Sequence, residues 1–110
     1  MKNIEALKKT SEFKEVYKKG SYSENNLLIL RTLKNGAEPS RIGISVSKKV
    51  GNSVVRHRVI RLIRESYLLY KDDLKDGFSL VVIAKPEAKE KGLAEVSDAF
   101  GKLLKQKRLV

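Results

Sequence analysis

The sequence has no cysteine, no tryptophan and a single histidine, His57. Without cysteine there is no disulfide partner, no thiolate nucleophile and no cysteine-ligated zinc. One imidazole cannot build a metal cluster by itself. No apolar run approaches the roughly 20 residues a helix needs to cross a bilayer. The start, Met1-Lys2-Asn3-Ile4-Glu5, lacks the apolar stretch of a secretory signal. A cytoplasmic protein with no membrane attachment is therefore expected. A local absence says more. Between Glu38 and Glu65 there is no acidic residue, while Arg41, Lys48, Lys49, Arg56, Arg58, Arg61 and Arg64 all fall there. Surface helices usually mix signs, because opposite charges at i,i+4 stabilise them. Omitting acids costs self-repulsion, and a polyanionic partner explains the omission.

What is present agrees. The chain has 110 residues, a net charge of +11 and 41% hydrophobic residues. That is enough for one domain with a modest core, and too apolar for a disordered basic tail. The charge favours nucleic acid over other partners.

The patterning predicts an α+β fold with a small mixed sheet. Phe13, Val16 and Tyr17 share one helical face after a Thr10 or Ser11 cap, and Gly20 stops that helix. Core packing and base stacking both suit Phe13 and Tyr17. Ser21 to Asn26 is turn-like, with room for a short edge strand. Leu27 to Leu33 reads as a strand, and Lys34 to Ser40 as a turn. Arg41 to Ser47 alternates, with Ile42, Ile44 and Val46 on one face and Arg41, Gly43, Ser45 and Ser47 on the other. That second face suits either solvent or a closely approaching sugar-phosphate backbone. After Gly51, Asn52 or Ser53 can cap a long helix. At about 100° per residue, Val55, Val59, Leu62, Ile63, Ser66, Leu69 and Tyr70 form its core side. His57, Arg58, Arg61 and Arg64 lie opposite, Arg56 is near the boundary, and Ile60 interrupts the polar side. Phe78 to Ala84 is a continuous apolar run, as in a strand covered on both faces. A last helix starting near Gly92 carries Leu93, Val96, Phe100, Leu103 and Leu104. The order is α-β-β-α-β-α with one optional extra strand.

Self-contained catalysis is not expected. His57 has no sequence-evident nucleophile. Asp72, Asp73 and Asp76 could hold a magnesium ion, but such a cluster beside Lys71 and Lys75 is more often a solvated loop. Gly43 and Gly51 make neither a P-loop nor a dinucleotide fingerprint. Arginines at i, i+3 and i+6 make a slanting row that can track phosphates, since guanidinium groups bind them bidentately and also stack on bases. Lys48 to Asn52 can bring backbone N–H groups and a helix N-terminus near a phosphate. Spacing alone does not separate RNA from DNA.

The segment from Arg41 through Ser47-Lys48-Lys49-Val50-Gly51-Asn52 to Arg56-His57-Arg58, continuing to Glu65, resembles the protein subunit of bacterial ribonuclease P and its arginine-rich motif. Ser11 to Gly20 resembles that family's first helix, and Val81 to Pro86 the strand after the motif. The resemblance implies a two-layer sandwich like that of a small-subunit ribosomal protein. It also implies a left-handed β-α-β crossover, where the general rule would give the right hand. It implies a division of labour too. An RNA subunit, using magnesium, cleaves precursor tRNA and releases its 5′ leader, while the protein alone is inactive and monomeric. By position, Lys48, Lys49, Asn52, Arg56, His57, Arg58, Arg61 and Arg64 would face the catalytic RNA. Phe13, Tyr17, Arg31, Ser45 and Ser47 would form a cleft for the leader. No residue is assigned as catalytic or as a metal ligand. Three positions depart from the family pattern: His57 replaces the usual Asn, Ile60 a common Lys, and Arg31 a frequent aromatic. The alternative function is a stand-alone RNA-binding protein of ribosomal type, and a metal-dependent nuclease is a third.

Overall fold

A computed structural model describes residues 5–6, 10–36 and 39–110. The chain forms β1 (Glu5–Ala6), α1 (Thr10–Lys19), β2 (Ser21–Glu24), β3 (Leu28–Lys34), β4 (Arg41–Ser45), α2 (Ser53–Tyr70) and β5 (Phe78–Ala84). A 3-10 turn (Pro86–Glu90) and α3 (Leu93–Gln106) complete it. The expected α+β order is present. The optional strand is β2, and the two-residue β1 has no counterpart in the sequence reading because two residues carry no periodicity. Helix α1 already includes Thr10 and Ser11, the two residues expected to cap it.

The sheet order is β1-β4-β5-β3-β2. β1, β4 and β5 run parallel, whereas β3 is antiparallel to both β5 and β2. Strand β4, helix α2 and strand β5 make the parallel crossover. β5 is central, which explains its unbroken apolar run: both of its faces are covered. Leu80 and Val82 point into the main core with Leu28, Leu30 and Ile42, against Val59 and Ile63 of α2 and Phe100 and Leu104 of α3. Val81 points the other way and packs on Val16 of α1, with Phe13, Leu33 and Ile83 around it. Helices α2 and α3 thus share one side of the sheet, while α1 covers part of the other.

Aromatic contacts help join the two long helices. The Phe100 ring lies 6.3 Å from that of Tyr67 and 6.2 Å from that of Tyr70. Such pairs add about 0.5–1.5 kcal/mol beyond area burial. Burial pushes the Tyr67 phenol up to about 12. The core side of α2 differs from expectation at one point: Tyr67 is buried and Leu69 is 63% exposed. At 100° per residue Leu69 stands near the edge of the apolar arc, and α3 covers the side nearer Tyr67.

Gly20 has a steric role beyond ending a helix. Its N–H donates to the Val16 carbonyl at 2.8 Å. A Cβ there would stand 2.5 Å from that oxygen and 2.7 Å from the Thr32 carbonyl oxygen. The end of α1 can therefore approach β3 only where no side chain intervenes. This contact fixes the height of Tyr17 above the sheet.

Candidate nucleic-acid interface

Two regions bring the predicted residues together. The first is α2 and the loop that leads into it. Asn52 is the N-cap, and its side-chain oxygen accepts from the Val55 N–H at 3.0 Å. The first turn of α2 has no acidic residue, so the positive end of the helix dipole adds to Lys48 and Lys49, both exposed. His57, Arg61 and Arg64 are exposed along the outer face. Among the described residues no carboxylate pairs with Arg61 or Arg64. Arg56 is half-buried, and its Nε is buried with no hydrogen-bond partner. Ile60 is half-buried beside the row.

Arg58 stands apart from this row. Its guanidinium donates to the Lys89 carbonyl at 2.9 Å and to the Lys91 carbonyl at 2.6 Å. It fastens the 3-10 turn and the entry to α3 onto α2. A fork of N–H donors suits two neighbouring carbonyls as well as it suits a phosphate. Helical spacing places Arg58 on the polar side but cannot show that a second element reaches it there.

The second region is the sheet face that α1 only partly covers. Cross-strand register places Tyr22, Arg31, Val81 and Gly43 in one row, and Glu24, Ile29, Ile83 and Ser45 in the next. Val81 is covered by α1, whereas Ile29, Ile83 and Ser45 are only half-buried. The second row is the floor of an open cleft. Phe13, half-buried, packs with Val81 and Ile83 from α1, and Tyr17, 38% exposed, lies against Arg31 in the first row. Arg31 lies between two tyrosines, 5.1 Å from the ring centre of Tyr17 and 5.1 Å from that of Tyr22. Its Nη1 also donates to the Tyr17 carbonyl at 3.0 Å. Ser45 ends β4. Ser47 lies beyond it in the turn, where its hydroxyl accepts from the Lys49 N–H at 3.3 Å. The β4 end of the cleft therefore runs directly into the cationic loop before α2.

The other charges near this face are paired. Arg41 bonds Glu12 at 3.3 Å, tying β4 to α1. Lys85 pairs with Glu24 across the sheet edge. The Lys85 ammonium bonded to the Glu24 carboxylate, with the nearby Tyr22 hydroxyl, holds it below its ordinary range. The same carboxylate raises the Tyr22 phenol. Tyr22 and Glu24 escaped the sequence reading, because only the β2–β3 register puts them on the cleft face. Among the described residues no three His, Asp or Glu side chains converge on a metal position. Among them, too, no helix is long and apolar enough to cross a membrane.

The chain is similar in sequence and fold to known proteins. The chain is 46% identical over 108 residues to the ribonuclease P protein component of Clostridium novyi, covering 96% of both chains. It is 44% identical to that of Alkaliphilus metalliredigens, covering 100% of this chain and 99% of the relative. The solved RNase P protein of Staphylococcus aureus superposes with a TM-score of 0.87 at 32% identity, covering 94% of this chain and 95% of that one. That of Thermotoga maritima superposes with a TM-score of 0.84 at 28% identity, covering 93% and 96%. The ribonuclease P family model matches residues 1–108. On this shared sequence and fold, with the cationic α2 row and the cleft face on one scaffold, the chain belongs to the bacterial ribonuclease P protein family.

Proposed function

We propose that the protein acts as a single RNA-binding domain, monomeric on its own, that seats a catalytic RNA on α2 and holds the 5′ leader of precursor tRNA on the sheet. The RNA carries out the cleavage in the cytoplasm with magnesium that it binds itself, and the protein supplies no catalytic group. The unpaired row of Arg61 and Arg64, continued by His57 and the Lys48–Lys49 loop, carries the first half of this reading. Among the described residues these side chains have no competing carboxylate, which leaves them to engage phosphates. The N-terminus of α2 offers backbone donors to a phosphate in the same place. Arg56 belongs to the same interface, and Asn52 supports it by capping the helix while its amide nitrogen stays available. Arg58 serves as a positioning residue, holding the 3-10 turn so that the α2 face is presented as one surface.

The leader half rests on the open floor of Ser45, Ile83 and Ile29 beside Phe13 and Tyr17. A single strand needs a surface where bases stack and a backbone can come close, and small polar residues beside aromatic rings provide both. Gly43 and Ser45 keep the β4 side low, and Ser47 leads towards the lysines.

Reconstitution tests the proposal. Rigorously RNA-free protein should leave precursor tRNA intact. Added to a bacterial ribonuclease P RNA at low magnesium, it should restore removal of the leader. Cleavage by the protein alone, or failure to stimulate any such RNA, overturns it.

A further inference from the structure

We infer that Tyr22 is a base-stacking platform of the leader cleft, extending it across Arg31 to the β2 edge of the sheet. The inference rests on the reading of the cleft as the leader site and adds a residue and a direction to it.

Tyr22 is 46% exposed on the cleft face of β2. It stands directly opposite Arg31 in the antiparallel pair, so the two side chains share the cleft face. The ring is held from two directions. The Arg31 guanidinium lies 5.1 Å from its centre. Glu24, two residues on along the same strand face and itself anchored by Lys85, lies close enough to its hydroxyl to raise the phenol. None of these contacts touches the main core. They fix an aromatic ring at the surface, with little left to lose in side-chain freedom when a base arrives.

Arg31 makes the tier continuous. It joins Tyr17 and Tyr22 with no carboxylate partner among the described residues, and its Nε is buried without an acceptor. A guanidinium in this state keeps positive charge for a phosphate while it lies beside both rings. Where an aromatic side chain at position 31 would itself be the platform, here the platform is moved one strand outward. β4, β5, β3 and β2 are consecutive in the sheet. From Ser45 on β4 to Tyr22 on β2, three strands across and one row along, is therefore about 16 Å at the usual strand spacing and rise. The cleft then engages leader nucleotides further from the Ser45 end than Phe13 and Tyr17 reach.

The test uses holoenzyme reconstituted with a bacterial ribonuclease P RNA. The substrates are precursor tRNAs whose leaders are lengthened one nucleotide at a time, with 2-aminopurine at successive leader positions. Tyr22→Ala should weaken binding of long-leader precursors by about tenfold, the effect of one stacked base. It should leave the shortest leaders and mature tRNA unchanged. At one distal position the fluorescence change seen with the unsubstituted protein should disappear. Tyr22→Phe keeps the ring and should lose no more than about threefold, since only a hydrogen bond is removed. An equal loss on mature tRNA, or no change at any leader position, overturns the role of Tyr22. If Phe13→Ala abolishes the dependence on leader length while Tyr22→Ala does not, the cleft reading survives and this extension fails. If neither variant alters that dependence, the cleft reading itself fails.

Discussion

The outer face of α2 and the sheet face under α1 are both rich in cations, yet they use them differently. Arg61 and Arg64 are exposed, with no carboxylate partner among the described residues. Arg31 is held between two rings and bonded to a carbonyl, Arg41 is tied to Glu12, and Lys85 to Glu24. Free charges attract any phosphate and bind it by releasing counterions, which gives strength and salt dependence but little discrimination. Arg41 and Lys85 are neutralised and Arg31 is fixed in place, so what this face presents beside them is shape and aromatic surface. The first surface suits a large folded RNA, and the second suits a few unpaired nucleotides.

The largest effect should come from breaking the free row. Arg61→Ala with Arg64→Ala removes two phosphate contacts, and at about 0.8 each the log–log salt slope of RNA-subunit binding should flatten by about 1.6. That corresponds to about a hundredfold loss of affinity at 50 mM salt. Filter binding across a salt series measures it. An unchanged slope would mean that α2 does not carry the RNA contact.

A smaller and differently shaped effect is expected in the cleft. Phe13→Ala should weaken leader-bearing precursor by about 1–2 kcal/mol, the scale of one lost stack, with no change in salt slope or in binding of mature tRNA. Phe13→Leu preserves most of the packing against Val16 and Val81, and so separates stacking from stability. Equal losses on both substrates would place Phe13 in the core alone.

Arg58→Ala sharpens the comparison most finely, because it removes a cation from the α2 sequence row that the tertiary structure has bound elsewhere. The expected cost is about 1 kcal/mol of local stability, from two carbonyls losing charged donors. It should be read as faster hydrogen exchange over residues 86–92, with a salt slope that moves far less than with Arg61 or Arg64. A slope change as large as theirs would return Arg58 to the phosphate contacts.

Much of this was legible in the chain. The acid-free interval, a cap at Asn52 or Ser53, the long helix after it and the doubly covered strand at 78–84 all follow from local pattern, and the structure settles the cap on Asn52. Period and charge are properties of neighbouring residues. The place of Phe13 and Tyr17 on one helical face was equally readable, though not what faced them. The burial of Tyr67 in place of Leu69 was not readable, because both lie at the margin of the apolar arc and α3 decides between them.

By itself, then, the sequence determined a basic α+β domain whose central helix has one apolar and one cationic side, since hydrophobic periodicity and charge are written residue by residue. The tertiary structure decided which of those cations stay free. Arg58 meets Lys89 and Lys91 across more than thirty residues. Tyr22 meets Arg31 only through the antiparallel register. Gly20 acquires its role from a carbonyl on another strand. Each is a contact between segments distant in the chain, set by how the sheet pairs and how the helices pack on it.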